Sequence, residues 1–568
     1  MIDSILVRRI ATIAIVAAVS GASYVVALPP RAPVPAGQNE STLVTGAIHV
    51  HTIGSDGTGT ADEIAAAAAR AGLDFIVLTD HGDGTRKPDP PQYRSGVLCV
   101  DSVEISTHGG HVIALGLPQA PYPLGGEARD VVDDVIRLGG FPIAAHPGSP
   151  KPELDWSDWT LPIGGVEWLN ADSEWRDESR WTLTKALLTY PARRTETLTT
   201  LLDRPDSVIE QWDTLTRDRP VVAIAGTDAH ARLGFRSLGE PYDPGASLHV
   251  PSYERLFRVF ANVLPGISMT GDAAADADLV IAAIRRGHVY TAIDGLHGTG
   301  MLSFTASDGS TRAEPGDVVS SLREWTLNIE LGGPADALIQ LFRDGVRTNE
   351  SSMRLKHMID IGSRGAYRVE VSLPGAPGQP PIPWLLSNPI YVGDRPTSAT
   401  SAARPGASKF EVRYSDGPAT GWTIATSPAS KAALDVVPME RGTQLALRYA
   451  IGGAASESPY AAFVLAADAS IAQYDRLIFT ARADRPTRMS VQLHEPGTPD
   501  GQRWHRSVFM DTEPREITVF FNDLRPIAAA APQPPLTAID SIFFVLDTVN
   551  TPLGGSGRIW IDDVKYGK

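Results

Sequence analysis

The chain of 568 residues contains a single cysteine, Cys99. One cysteine cannot form a disulfide within the chain, and it excludes a zinc site built from several thiolates. Lysine and arginine are outnumbered by aspartate and glutamate, 50 to 66, and long runs of one charge are absent. A net charge of -16 without clustered basic residues argues against a dedicated binder of nucleic acid or of anionic membranes. Neither a glycine-rich phosphate loop nor an internal repeat is visible in the sequence.

The N-terminal segment has the pattern of an export signal. Arg8 and Arg9 precede an uncharged apolar stretch from Ile10 to Leu28, and the proline-rich spacer PPRAPVPAG follows. The stretch is longer than a usual signal core of roughly 7–15 residues and only just long enough to span a bilayer at about 20. We therefore predict that residues 1–43 direct export to the periplasm or the cell exterior, as a cleaved signal or as an inner-membrane anchor.

Apolar strands and helix-like segments alternate between about Thr45 and Ala292. The runs IVLTDH, FPIAAHP and VVAIAGTDAH each predict a buried strand that ends in a loop carrying histidine, and segments such as ADEIAAAAARAG predict helices between them. This alternation predicts parallel βαβ units in a barrel or an open doubly wound sheet.

The pattern changes after about Gly298 to short alternating strands separated by Gly, Pro and Asp turns. These strands predict a small β-sandwich over residues 298–395, and a linker rich in Ser, Thr and Pro follows at 396–408. Evenly spaced alternating strands over residues 409–568, such as RLIFTARA and REITVFFN, predict a β jelly roll.

Candidate metal ligands follow the predicted strands of the first domain, where six of the 13 histidines lie between residues 49 and 146. Residues i and i+2 of a strand share a face, so His49 and His51 are expected to point into one site. Asp228 and His230 repeat this spacing at the end of a later strand. The carboxyl ends of the strands of a barrel form one rim, so these side chains are predicted to meet there.

Further histidines and two acids complete this set. Glu104 lies in an apolar strand, where an unpaired ionised carboxylate would be costly and a metal cation is a natural partner. Asp56 follows His51 in a glycine-rich turn, and His81 and His146 each follow an apolar strand. Imidazole together with carboxylate suits Zn, Fe, Mn or Co, and ligation without cysteine argues against a closed structural zinc site.

The segments HVHTIGSDG, TDHG, EIST with GHVIALG, AAHP and GTDAH, in this order, resemble the successive motifs of the polymerase and histidinol phosphatase (PHP) superfamily. The resemblance covers roughly residues 44–395. It implies a distorted (β/α)7 PHP barrel over residues 44–297, followed by the two all-β sandwich domains, and usually phosphoester hydrolysis with two or three divalent metal ions (Zn, Mn or Fe). The segments GHVIALG, IAAIRRGHVYTA and PWLLSNPIYV are similar to an exported carbaryl-hydrolase-like branch, which admits carbamate, ester or amide bonds.

Matched motif by motif, the resemblance implies a set of nine metal ligands: His49, His51, Asp56, His81, Glu104, His111, His146, Asp228 and His230. Glu104 is implied to bridge two ions, and Asp228 or His230 is expected to move a proton, so these three are the candidate catalytic residues. His108 competes with His111 for its place.

Two residues beside these motifs are interpreted separately. Asp80 is predicted to orient His81 or a loop rather than to bind a metal. Glu167, in the segment GVEWLN, is predicted either to cap a helix or to line the pocket.

The sequence therefore predicts an exported metal-dependent hydrolase, in the first place a phosphoesterase that uses a metal-bound hydroxide on a small-molecule substrate. Two alternatives remain open: a carbamate, ester or amide hydrolase on the same site, and a non-catalytic protein that binds envelope components or glycans. A looser likeness of GRIWIDDVKYG to sugar-binding jelly rolls points to cell-envelope glycan as a partner of the last domain. No nucleic-acid partner is predicted, and the membrane is contacted only through the N-terminal segment.

Overall fold

The computed structural model describes residues 28–29, 43–234, 247–248, 250–394, 404–496, 501–527, 529 and 531–568. The predicted export segment lies outside these residues apart from Leu28, Pro29 and Leu43, and so does most of the predicted linker. Within the described ranges, no helix is long and apolar enough to cross a membrane.

The chain is a mixed α/β protein with many strands, and it divides into two compact units. The first unit comprises Met1–Gly82, Pro88–Leu117 and Val135–Ala399, and the second comprises Asp83–Lys87, Pro118–Asp134 and Thr400–Lys568. The expectation of a mixed α/β chain rich in strands is confirmed, whereas the finer assignment to a (β/α)7 barrel and the predicted domain boundaries stay predictions.

Thirteen strands occupy the first part of the chain: β1 (Leu43–Val50), β2 (Phe75–Leu78), β3 (Gln92–Arg94), β4 (Val97–Asp101), β5 (Glu104–Thr107), β6 (Gly110–Leu115), β7 (Phe141–Ala145), β8 (Gly165–Asn170), β9 (Val222–Ala229), β10 (Leu233–Gly234), β11 (Ser247–Leu248), β12 (Ala261–Pro265) and β13 (Tyr290–Ala292). The helices are α1 (Ala61–Ala71), α2 (Ala128–Arg137), α3 (Ala171–Arg176), α4 (Arg180–Thr189), α5 (Arg194–Thr199), α6 (Asp206–Asp218), α7 (Tyr253–Phe257), α8 (Ala273–Arg286) and α9 (Asp294–His297).

Strands of the first unit close into a barrel. β1 pairs in parallel with β2 on one side and with β9 on the other, β9, β8 and β7 follow in parallel, and β2 pairs in parallel with β4. β5, β6 and β7 are instead antiparallel. For β5 and β6 the reason is the connection, because His108 and Gly109 alone separate them and a parallel pair would need a longer crossover. A parallel bridge between His81 and Glu104 joins the chain after β2 to β5.

The barrel strands are buried throughout, which explains their apolar runs. Every residue of β2 and of β9 is buried, as expected for parallel strands covered on both faces. The helix after β1 is fixed by its ends, because Thr60 and Glu63 form a capping box and Gly72 ends the helix at a φ of 89°. The carboxyl ends of β1, β2, β7, β8 and β9 lie at one rim of the barrel, and this rim carries the candidate site.

Ten further strands of the first unit follow the barrel: β14 (Met301–Ser307), β15 (Arg312–Ala313), β16 (Val318–Val319), β17 (Trp325–Gly332), β18 (Leu338–Arg343), β19 (Val346–Ser351), β20 (Arg354–Ile359), β21 (Gly365–Ser372), β22 (Leu385–Ser387) and β23 (Ile390–Val392). Four of them form a separate sheet in the order β15-β14-β17-β20. β22 pairs with β13, so the remaining strands continue the sheet of the barrel.

The second unit is a β-sandwich built from twelve strands: β24 (Phe410–Tyr414), β25 (Trp422–Thr426), β26 (Lys431–Pro438), β27 (Thr443–Ala450), β28 (Tyr460–Ala466), β29 (Arg476–Ala483), β30 (Thr487–His494), β31 (Arg503–Met510), β32 (Arg515–Phe520), β33 (Arg525–Ile527), β34 (Ser541–Asp547) and β35 (Ser556–Gly567). They form two six-stranded sheets. The core between them contains Leu447 and Ile561 from one sheet and Phe463 and Phe544 from the other. The alternation of apolar residues that predicts these strands thus marks the side chains facing the core.

A buried network of charges lies inside the second unit. Arg488 of β30 donates hydrogen bonds to both carboxylate oxygens of Asp134 at 2.8 and 3.0 Å, and it pairs with Asp130 at 3.1 Å. Arg506 of β31 also pairs with Asp130, at 2.9 Å. The side chains of Arg488, Asp130 and Asp134 are at most 4% exposed. The segment Pro118–Asp134, which lies between β6 and β7 in the chain, is therefore held in the second unit by buried ion pairs.

Candidate metal centre

The nine candidate ligands lie together at the carboxyl end of the barrel strands. Their nitrogen and oxygen atoms form four overlapping groups, in each of which one atom per residue lies within 4.8 Å of the others. The groups are His51 with Asp56, His81 and His230; His49 with His51 and Glu104; His49 with His146 and Asp228; and His81 with Glu104 and His111. Each candidate ligand belongs to at least one group.

Glu104 lies at the centre of this cluster and is 1% exposed. Its Oε1 atom is 2.7 Å from His111 Nδ1 and 2.8 Å from His146 Nε2. Its Oε2 atom faces three other histidines at 3.1 to 3.2 Å: His49, His51 and His81. The two oxygens of one carboxylate thus face different sets of imidazoles, which is the arrangement that a bridging ligand needs.

The backbone reaches this arrangement through bulges rather than through plain strand alternation. The register of β1 against β2 and β9 shifts between Ile48 and Val50, and His49 has a φ of 68°. Asp228 of β9, at a φ of 43°, and His146, at 33°, also adopt left-handed backbone. Each such residue costs of order 1–3 kcal/mol and persists only where the surrounding structure enforces it. His49 and His51 do face one site as expected, with ring centroids 5.1 Å apart, but the register shift at His49 rather than regular strand alternation brings them together.

Three histidines are oriented by hydrogen bonds from the ring nitrogen that faces away from the cluster. His49 Nδ1 donates to Glu167 Oε1 at 2.7 Å, His146 Nδ1 to the Leu154 carbonyl at 2.9 Å, and His230 Nδ1 to the Asp228 carbonyl at 2.9 Å. These bonds leave the Nε2 atom of each ring facing a carboxylate of the cluster. Outer hydrogen bonds of this kind are how proteins fix the tautomer of a metal-binding histidine.

Glu167 orients ligands rather than capping a helix. Besides His49, this buried carboxylate accepts hydrogen bonds from the His146 amide at 2.6 Å and from Asn170 Nδ2 at 2.8 Å. The cap of α3 is Asn170, whose side-chain oxygen accepts from the amides of Asp172 and Ser173. The helix-cap interpretation of Glu167 is therefore wrong. The argument applied to Glu104, a carboxylate inside an apolar strand, could have identified Glu167 as well.

The turn that carries Asp56 is held at both ends. Asp80 accepts hydrogen bonds from the Thr52 amide and from Ser55 Oγ, each at 2.7 Å, so it orients the loop. Tyr253 Oη donates to the His51 carbonyl at 2.8 Å and accepts from the Thr58 amide at 3.0 Å. Sequence reasoning missed Tyr253, because it lies far along the chain and belongs to none of the motifs.

Of the two histidines that compete in the hairpin of β5 and β6, only His111 lies in the cluster. His111 is buried against Glu104, whereas His108 lies in the turn with an exposed side chain and belongs to none of the four groups. His111 pairs with Ser106 across the antiparallel hairpin, so it is a residue of β6 and not of the turn.

The electrostatics of the cluster favour positive charge at His49 and His230, whereas burial lowers the pKa of His81 to about 4. Burial by itself lowers the pKa of His49, but the carboxylates of Glu167, Asp228 and Glu104 raise it well above the usual range. Burial is likewise outweighed at His230, where Asp56 and Asp228 raise the pKa to about 9. For Glu104, burial raises the pKa, but the surrounding imidazoles bring it well below its ordinary value. The carboxylates that stabilise protons on these imidazoles would also stabilise a divalent cation, which displaces the protons when it binds.

The donor atoms fit a divalent metal ion. His51 Nε2 is buried and has no hydrogen-bond partner among the described residues. It nevertheless lies 3.2 Å from Glu104 Oε2 and 3.3 Å from Asp228 Oδ1. Two carboxylate oxygens that converge on one buried imidazole nitrogen need a positive charge between them, either a proton on the ring or a bound metal ion. Imidazole and carboxylate donors together suit Zn, Mn or Fe.

We expect Gly226→Ala to weaken metal binding by about 10- to 100-fold, the usual effect of disturbing the residues that orient ligands. A Cβ atom at Gly226 would overlap Glu167 Oε1, so Glu167 would have to move away from His49 and His146. Titration of the metal-stripped protein with Mn would measure the change. The control is Gly406→Ala, because a Cβ there meets no atom within 4 Å. Equal affinities of the two variants would contradict the role of Glu167.

No protein-family model matches this sequence, and no curated protein matches it. Among solved structures, the chain is similar to the family 11 carbohydrate-binding module from Clostridium thermocellum in complex with a beta-1,3-1,4-mixed-linked tetrasaccharide, at 15% identity and a TM-score of 0.24, over 28% of this chain and 94% of that one. It is also similar to the family 30 carbohydrate-binding module of the cellulosomal cellulase Cel9D-Cel44B of Clostridium thermocellum, at 12% identity and a TM-score of 0.22, over 28% and 96%. Likeness at these scores carries no argument about function.

Proposed function

We propose that this protein is a metal-dependent hydrolase of the PHP type and that it acts as a phosphoesterase. The observation that carries the proposal is the position of Glu104, whose two oxygens face separate sets of histidines supplied by different strands. The order of the motifs along the chain supports the proposal as well. This order is an observation on the sequence, and it is independent of how close the side chains lie in the structure.

Some residues of the site would bind the metal ions, and others orient the residues that bind them. Glu104 and the five histidines around it would hold the metal ions. Bound divalent ions would lower the pKa of a coordinated water to about 7 and stabilise charge developing on the substrate oxygens. Glu167 keeps His49 oriented, and Asp80 keeps the turn with Asp56 in place.

His230 is the residue best placed to move a proton. Its side chain is 20% exposed, whereas His49 and His51 are fully buried. Its ring stacks on His51 with centroids 4.2 Å apart, and its Nε2 lies 3.1 Å from Asp56 Oδ2. It therefore connects the buried cluster to solvent through Asp56 and its own exposed edge.

Metal analysis tests the first half of the proposal. The full-length protein, stripped with a chelator and then dialysed against Mn or Zn, is expected to bind at least two ions per chain. His108→Ala, which removes an exposed imidazole outside the cluster, should bind the same number. Fewer than one ion per chain would instead favour a non-catalytic protein in which the site is a relic.

A substrate screen tests the bond that is cut. Phosphomonoester, phosphodiester and aryl carbamate substrates should be compared with the Mn- and Zn-loaded protein, since the same ions can polarise a phosphoryl or a carbonyl oxygen. We expect turnover of a phosphoester. Activity on the carbamate alone, lost in His49→Ala, would overturn the phosphoesterase assignment and favour the carbamate alternative.

The proposal also includes export, on the pattern of Arg8, Arg9 and the apolar stretch that follows. Fractionation of cells that express the full chain, with N-terminal sequencing of the recovered protein, would test it. Recovery in the cytosol with an intact N-terminus would contradict export.

A further inference from the structure

The first unit contains a cavity, separate from the candidate metal centre, that is lined by arginine. It has a volume of about 700 Å³ and lies between the end of α1, the start of α5, α7 and α9. Four arginines line it: Arg193, Arg194, Arg255 and Arg258. None of the nine candidate metal ligands contributes to its wall. The chain as a whole has a net charge of -16, whereas this cavity carries a concentration of positive charge.

The acidic residues in the wall do not neutralise these cations. Among the described residues, only Glu196 and Asp294 contribute carboxyl groups to the lining. Burial raises the pKa of Asp294 to about 7, so this carboxyl carries only part of a negative charge at neutral pH. The Asp294 carboxyl accepts a hydrogen bond from Thr299 Oγ1 at 2.9 Å and forms no ion pair with any arginine among the described residues.

Two of the four guanidinium groups are available to a ligand. Arg258 pairs with Glu254 at 3.3 Å and donates to the Arg70 carbonyl, and Arg193 donates to the Pro29 carbonyl. The guanidinium groups of Arg194 and Arg255, by contrast, form neither a hydrogen bond nor an ion pair with another described residue. Arginines that converge on a cavity without carboxylate partners are suited to binding an anion.

We propose that this cavity binds a small molecule that carries a phosphate group. The planar donor fork of arginine matches the paired oxygens of a phosphate, and several such forks favour a dianion over a single carboxylate. The volume falls within the roughly 300–1,000 Å³ of small-molecule sites and leaves room for an organic group beside the phosphate. The inference does not depend on the proposed hydrolase, because the two sites share no residue.

Calorimetric titration of the full chain with inorganic phosphate tests the proposal. The protein is first stripped of metal, so that ions in the candidate metal centre cannot capture the probe. We expect saturable binding that is at least about tenfold weaker in the double variant Arg194→Gln/Arg255→Gln. Arg347→Gln serves as the control, because Arg347 is 55% exposed on β19 and outside the cavity, and it should bind phosphate like the parent.

The remaining measurements decide the chemical class. Arg255→Lys keeps the charge but loses the fork, so it should bind phosphate more weakly than the parent and more tightly than the double variant. Thermal unfolding without phosphate should be unchanged in all these variants. Absence of saturable binding, equal affinity in the double variant, or tighter binding of citrate than of phosphate would each overturn the proposal.

Discussion

Glu104→Ala is expected to lower the number of ions bound per chain below one and to lower turnover of the substrate at least about a thousandfold. A thousandfold loss corresponds to about 4 kcal/mol of transition-state stabilisation, within the range that metal ions supply. The effect should exceed that of any single histidine, because Glu104 contacts five of the six histidines in the cluster through its two oxygens. Elemental analysis and steady-state kinetics on the same preparation would measure both losses together.

Two companion variants separate the charge of Glu104 from its size. Glu104→Gln fills the same volume without the negative charge, so it should also lose the ions. His108→Ala removes an imidazole four residues away that is exposed and belongs to none of the candidate groups, and it should keep both metal and turnover. A Glu104→Ala protein that binds metal like the parent would contradict the bridging role.

The set of candidate ligands is the part of this site that the sequence predicts. His49, Asp56 and His230 were identified because parallel strands end at one rim and because each motif ends in a residue that binds metals. Each of these motifs is a short contiguous segment, so it can be recognised in the sequence alone. The segments that supply the candidate ligands can therefore be predicted without knowledge of the fold.

The means by which these side chains converge could not be predicted in the same way. The bulge at His49 depends on the register between β1 and its neighbours, which only the folded sheet defines. Tyr253 reaches the turn of Asp56 across about 200 residues, and such a contact leaves no pattern in sequence. Glu167 was visible as a buried carboxylate, but the partners that give it a role are supplied by the fold.

Which segments of the chain make up the second unit could not be predicted from the sequence either. Alternation predicts the strands of its sandwich, yet it does not show that Pro118–Asp134, from the first half of the chain, belongs with them. Asp130 and Asp134 in the segment ARDVVDDVIR are typical of the solvated face of a helix. Only the positions of Arg488 and Arg506 show that they are buried and paired.

Arg488→Met is expected to lower the free energy of unfolding by about 3–5 kcal/mol, because it leaves Asp130 and Asp134 buried with fewer cationic partners. The matched control is Arg448→Met. Arg448 pairs with Asp435 of the neighbouring strand, but it is 53% exposed, so its loss should lower the free energy of unfolding far less than the loss of Arg488 does. Denaturant titration of both variants beside the parent would measure the difference, and equal costs would contradict the importance of burial.

Deletion of residues 409–568 extends the same argument to the whole sandwich. A domain that only directs the protein to glycan would be removable without loss of turnover. Here the deletion would strip Asp130 and Asp134 of Arg488 and Arg506, in the segment that connects β6 and β7, the strands that carry His111 and precede His146. We therefore expect the shortened chain to unfold at a lower temperature and to bind fewer ions. A shortened chain with the melting temperature and metal content of the parent would instead identify the sandwich as a separable targeting module.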